Sequence, residues 1–159
     1  MVRNSGKTEG EIDITKGAVK TNLLGQILVK KGLLTKEQLQ EALNIQKREK
    51  FILLGNILVK MGYLTEEKLS LALASQTDLS YLPVEKYKIS QEVLKIVPKD
   101  LARKYSFIPL EKIGSVLTVV MANPFDKRTI SEVEAAIHHK VVCLVGTKTQ
   151  IEKAITVLY

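Results

Sequence analysis

The sequence predicts an α+β protein: a duplicated helix-pair, four-helix N-terminal subdomain followed by a small α/β subdomain. Three observations carry this. Residues 24–46 and 54–76 are near copies at a period of 30 and agree at 14 of 23 positions, so each copy should be one supersecondary unit. Within each copy, apolar residues recur at i, i+3 and i+4, the spacing of a helix face. Beyond residue 80, short β-branched stretches bounded by glycine, proline and asparagine replace that spacing, as strands require.

Residues 1–20 are polar and without a sustained period, and are expected to form a flexible lead-in. The repeats then occupy 21–80 and the α/β unit 81–159. Gly6–Lys7–Thr8 in the lead-in looks like the end of a phosphate-binding loop. That loop needs another glycine five residues before Gly6, where Met1 stands, and a preceding strand, so the match fails.

In the first copy, Leu24, Ile27 and Leu28 form a stripe, and Gly32 supplies the left-handed residue that ends many helices. Thr35 caps the next helix with Gln38 three residues on, a capping box. Leu39, Ala42 and Leu43 share that helix's inner face, which ends near Gln46. The second copy repeats the plan through Leu54, Ile57, Leu58, Gly62, Thr65, Leu69, Ala72, Leu73 and Gln76. It lacks the box, because Lys68 stands where Gln38 did, while Glu66 and Glu67 suit a helix N-terminus. Neither pair can bury its apolar face alone, so the copies should pack on each other.

Past Gln76, Tyr81–Val84 reads as a linker. Ser90–Ile96 is a short helix stopped by Pro98, and Lys99–Tyr105 a second beginning beside that proline. Phe107–Lys112 and Val116–Ala122 are strands turning at Gly114–Ser115. Asn123–Asp126 is a turn into a helix running to about His139. Val141–Val145 is a further strand, and Thr147 with Gln150 opens a last helix through a second capping box.

Composition narrows the function. The net charge is +7, but it is spread along the chain, and Lys47–Arg48–Glu49–Lys50 is the one tight cluster. With no tryptophan, 5% aromatics and no recognition motif, no DNA or RNA partner is expected. No apolar run is long enough to cross a bilayer and no signal sequence opens the chain, so a bacterial cytoplasm is the expected setting. The lone Cys143 permits no internal disulfide and sits in an apolar run, where a buried structural thiol is expected. His138 and His139 are helix neighbours that diverge by roughly 100° and so hold no metal jointly. A role at the helix C-terminus suits them better. The carboxylate pairs Glu66–Glu67 and Glu132–Glu134 read as solvated charge on exposed helix positions. No nucleophile elbow, metal-ligand spacing or redox pair is present, and neither an enzyme nor a cofactor or metal is expected.

The repeat itself is specific: Leu-Gly-x-x-Leu-x-x-x-Gly-x-x-x-x-x-x-Leu-x-x-x-Leu-x-x-Gln, twice. It resembles the MshEN domain, the N-terminal module of type II secretion and type IV pilus assembly ATPases of the GspE and PilB kind. Phe107–Leu110 and Leu117–Pro124 resemble that family's second half, so the likeness covers residues 23–159. The resemblance implies cyclic di-GMP as a ligand. Its positions would be Leu24, Gly25, Leu28, Gly32, Leu39, Leu43 and Gln46, then Leu54, Gly55, Leu58, Gly62, Leu69, Leu73 and Gln76. Glycines near helix starts would admit phosphate to backbone N–H groups, and leucines would bed the base and ribose.

Three departures weigh against the nucleotide. The family's arginine before each Leu-Gly is Leu23 and Leu53 here. Its Ala-Asp-Pro turn is Ala122–Asn123–Pro124, where an amide accepts on one atom only. The spacer 47–52 is one residue longer than the family's five. Losing two charge-assisted bonds at roughly 1.5–3 kcal/mol each removes about 10²–10⁴ in affinity, unless Lys20, Lys47, Arg48 or Lys50 replaces the charge. The expected function is therefore a non-catalytic regulatory and docking module with a degenerate nucleotide site. Its expected partner is a secretion or pilus machinery protein, or an ATPase domain in cis or in trans. A cyclic di-GMP sensor is the alternative.

Overall fold

The computed structural model describes residues 21–159, with side chains from Leu23 onward. The lead-in expected over 1–20, with Gly6–Lys7–Thr8 and Lys20, lies outside the described residues.

The repeats fold as two helix pairs: α1 (Thr21–Lys30) with α2 (Lys36–Arg48), and α3 (Leu54–Lys60) with α4 (Glu66–Ala74). The glycine stops work as the sequence implies. Gly32 and Gly62 have φ of 69° and 74°. Their N–H groups bond Val29 O and Val59 O, while Leu33 and Tyr63 N–H reach back to Leu28 O and Leu58 O. This paired closure of a helix end is the Schellman arrangement, made twice. Thr35 and Gln38 exchange both bonds of the capping box, and Thr65 makes only the hydroxyl bond to the Lys68 N–H.

α2 packs on α3 and α1 on α4, so each copy covers the other. The resulting core contains Leu24, Leu28, Leu34 and Ala42 beside their repeat equivalents Leu54, Leu58, Leu64 and Ala72, with Ile57. Each fully buried leucine contributes roughly 1.5–3 kcal/mol, and Leu28 and Leu58 are completely enclosed.

The second half is built on a three-stranded sheet, β1 (Phe107–Ile113), β2 (Val116–Met121) and β3 (Lys140–Val145), in that order. β1 and β2 form an antiparallel hairpin whose register slips between Pro109 and Glu111, and β2 pairs with β3 in parallel. Pro109, which has no N–H to donate, sits on the edge strand, as a ladder requires. α5 (Gln91–Leu94) and α6 (Lys99–Tyr105) precede the sheet, α7 (Lys127–Ile137) makes the β2–β3 crossover, and α8 (Lys148–Leu158) closes the chain. Phe107, Ile108, Leu117, Val119, Val120, Met121, Val133, Ile151 and Ile155 centre the second core.

Three local expectations need correcting. The linker at Tyr81–Val84 is ordered: Tyr81 bridges Val145 as a short parallel extension of the sheet, and a 3-10 turn follows at Val84–Lys86. α7 ends at Ile137 rather than near His139, because His138 turns left-handed at φ 55°. His139 Nδ1 then donates to Ile137 O at 2.7 Å, answering a carbonyl that the helix end leaves free. The box at α8 is half made. Thr147 accepts from the Gln150 N–H, but Gln150 Oε1 accepts from Tyr81 OH.

The two cores share no residue, and side-chain hydrogen bonds cross between the halves. Glu66, the first residue of α4, accepts from Thr149 N–H at 3.0 Å and from Thr149 Oγ1 at 2.9 Å. One turn later, buried Ser70 donates to Gly146 O at 3.4 Å. Glu66 is thus not the solvated charge its position suggested; it caps the first turn of α8 across the subdomain boundary.

Candidate functional site

The glycines of the repeated motif are close-packing positions. A β-carbon at Gly25 would overlap Leu39 Cδ1, and one at Gly55 would come within 2.8 Å of Leu69 Cδ2. The first helix of each pair therefore lies on a leucine of the second, an approach that only glycine permits without displacing that leucine.

The other motif residues fall into three settings. Leu24, Leu28, Leu54 and Leu58 are core, whereas Leu39, Leu43, Leu69 and Leu73 are half-buried around it. Gly32 and Gly62 are exposed helix ends, away from the packed glycines. Gln46 Nε2 donates to Ile52 O at 3.0 Å, fastening the spacer to α2. Half-buried Gln76 gives its backbone N–H to Leu73 O. Asn123 is exposed in the turn after β2, in the second subdomain.

The positions where the family carries arginine differ from each other. Leu23 is half-buried on α1. Leu53 is the residue before α3, 55% exposed and without a side-chain capping bond. Two residues earlier, Phe51 is 101% exposed. Arg48, Glu49, Lys50, Phe51 and Ile52 line a shallow, open depression of about 360 Å³, with Lys47 exposed just before it. Among the described residues, the ion pairs are Arg128–Glu132, Lys140–Glu134 and Lys148–Glu152, so Lys47, Arg48 and Lys50 have no ion-pair partner there. Among the described residues, the α2–α3 junction thus combines an exposed aromatic ring, an exposed leucine and three cations without an ion-pair partner. The spacer's extra residue and its basic run were the sequence signal, but nothing in the pattern said that Phe51 would point outward.

Elsewhere, Glu132, Glu134 and Cys143 are occupied structurally. Glu132 accepts from Tyr105 OH at 2.6 Å and from Arg128 Nε at 3.1 Å, and the Tyr105 bond, then Arg128, hold its carboxyl below the usual range. Glu134 accepts from the Val141 N–H at 2.9 Å, which lowers its pKa and covers an edge-strand donor. Neither is simply solvated charge. Burial, with Glu134 nearby, pushes the Cys143 thiol up to about 11, leaving it almost without thiolate at neutral pH. Among the described residues, no three His, Cys, Asp or Glu side chains are placed to hold a metal, and no helix is long and apolar enough to cross a membrane.

This architecture has counterparts. The family model of the MshEN domain matches residues 77–159, just over half of the chain. The chain belongs to the MshEN domain family. The matched stretch begins where the repeats end, so the α/β half supports the membership independently of the motif that suggested it.

The type IV pilus assembly ATPase PilB of Myxococcus xanthus (strain DK1622) is 26% identical over 136 residues, 86% of this chain and 24% of that protein. This MshEN chain therefore spans about a quarter of its curated relative. Among solved structures, MshE with cyclic di-GMP ("cdg") superposes with a TM-score of 0.74 at 24% identity, over 86% of this chain and 98% of that one. The N-terminal domain of XpsE gives 0.72 at 16% identity, over 94% and 97%. Both show the same α+β fold, now spanning the helix pairs as well as the sheet. The chain thus resembles the N-terminal domain of secretion and pilus ATPases.

Proposed function

We propose that this MshEN domain is a non-catalytic regulatory module that works by contact, docking onto secretion or pilus machinery or onto an ATPase domain in cis or in trans. Leu53 carries the reading. Where recognition of a nucleotide phosphate calls for a charge-assisted donor, an apolar side chain stands exposed at the start of α3. At the matching position of α1 stands another leucine, half-buried Leu23, and the packed glycines already serve Leu39 and Leu69.

A cyclic di-GMP sensor is the second reading, and one observation favours it. Among the described residues, Arg48 and Lys50 stand unpaired beside Phe51, so a base could stack on the ring while a cation meets phosphate. The cyclic di-GMP in the MshE structure gives this reading its ligand.

Calorimetric titration with cyclic di-GMP separates the two. The unaltered chain should give no heat of binding, whereas a Leu23→Arg/Leu53→Arg variant regains binding if the bed persists without its anchors. Micromolar or tighter binding by the unaltered chain, abolished by Arg48→Ala, would overturn the contact reading. Silence from both proteins would remove the nucleotide from the account.

A further inference from the structure

We propose that the α2–α3 junction seats this module on an anionic lipid surface. The inference rests on the contact reading above and adds a lipid surface to its protein partners. The spacer runs Lys47–Arg48–Glu49–Lys50–Phe51–Ile52–Leu53, three cations and one acid followed directly by an apolar triplet. Gln46 holds Ile52 by its carbonyl, so the apolar end emerges from an anchored loop. Phe51 is fully exposed, Leu53 more than half so, and Lys47, Arg48 and Lys50 lie on the surface.

The shape of the junction favours lipid over protein. A stable protein interface buries about 800 Å² per partner around its aromatic anchors. Here the ring rises from charged neighbours beside a shallow, open depression, with no apolar plateau around it among the described residues. Among the described residues, the other exposed large apolar side chains, Leu71, Tyr87, Ile113, Val142 and Val157, lie elsewhere along the chain. A protein would have to supply a deep pocket aimed at one ring. A bilayer supplies an apolar medium to any ring that reaches its interface, and anionic headgroups to the cations beside it. The run Lys47–Arg48–Glu49–Lys50 carries a net charge of +2, which adds attraction toward an anionic surface at this junction. One ring and three cations make a weak, reversible attachment.

The chain has no tryptophan, so Phe51→Trp places the sole indole at the loop tip. Mixed phosphatidylcholine–phosphatidylglycerol vesicles should shift its emission to the blue. Phosphatidylcholine alone should not, and Val157→Trp should stay unshifted with either. In co-sedimentation with the mixed vesicles, Lys47→Ala/Arg48→Ala/Lys50→Ala should weaken partition on the order of a hundredfold, at about fivefold per cation. Phe51→Ser should weaken it at least about tenfold, with circular dichroism checking that each variant is folded. Unshifted emission at position 51 with anionic vesicles would overturn the proposal and leave the junction to a protein. An equal shift at position 157, or sedimentation indifferent to Phe51→Ser, would overturn it too. None of these outcomes touches the contact reading, which only nucleotide binding by the unaltered chain would sink.

Discussion

Gly25→Ala tests whether the motif glycines serve packing or ligand approach. Gly25 lies within α1 without a positive φ, so alanine fits the backbone and gains about 1 kcal/mol of helix propensity. Against that, the new methyl overlaps Leu39 Cδ1, and Leu39 Cδ2 and Cγ lie within 3.0 and 3.3 Å of the same point. Overpacking of this kind costs about 1–3 kcal/mol, so the net loss should reach about 2 kcal/mol. Gly55→Ala meets Leu69 less closely, at 2.8 Å, and should cost less. Leu39 is only half-buried, so Leu39→Ala alone should cost about 1–2 kcal/mol, below the range for an enclosed leucine. In that background Gly25→Ala should become neutral or stabilising, because its obstacle is gone. Urea unfolding of the four proteins measures the coupling, expected at about 1–3 kcal/mol. If alanine at 25 instead stabilises the unaltered background by its full propensity gain, or if Leu39→Ala gives no relief, the packing account is wrong.

Gly32→Ala and Gly62→Ala should each lower thermal stability by about 1–2 kcal/mol, the cost of a left-handed alanine, and asparagine should be milder. For Cys143, folding raises the thiol from its ordinary 9.0 to about 11. The stability involved is therefore complete below pH 9 and lost as pH rises through 11. Native protein should resist iodoacetamide at neutral pH and react once unfolded. Tyr105→Phe removes the main bond holding Glu132 low, so NMR should find that carboxyl titrating nearer 4.5. The stabilisation it brings is present above that value and fades as pH falls through the lowered one. A double-mutant cycle on Glu66→Ala and Thr149→Ala should show coupling of about 1 kcal/mol, reduced from the usual charged-bond value by exposure.

The elements were legible because their causes are local. The glycine stops, the threonine caps and the proline beside α6 act within a turn or two of chain, so spacing alone exposed them. The candidate site was legible only in part. Leu23 and Leu53 occupy equivalent motif positions, yet one is half-buried and the other exposed, a difference set by the fold around them. Gly25 and Gly55 had two readings from sequence, phosphate approach or packing, and only the position of a leucine 14 residues on distinguishes them. Glu66 and Glu134 looked like solvated charge because their partners, the Thr149 and Val141 N–H groups, become neighbours only through tertiary structure.

The differences between the copies are explained by what each one faces. Residues 66, 70 and 74 lie on one face of α4, four apart. Glu66 caps α8, Ser70 bonds Gly146, and Ser70 and Ala74 are buried. Their counterparts on α2 are Lys36, Gln40 and Asn44, all exposed and lining an open depression of about 570 Å³ with Glu37 and Glu41. Gln40 Nε2 donates to Asn44 Oδ1 at 3.1 Å, a bond along the helix surface. The same face thus takes a small residue and a capping acid where a subdomain covers it, and long polar side chains where water does. Conserving the core leucines and glycines holds both pairs in one shape, leaving the outer faces free to diverge. The spacer belongs to those freed positions, with neither core leucine nor packed glycine to keep, so an exposed ring and three cations could gather there without strain on either helix pair.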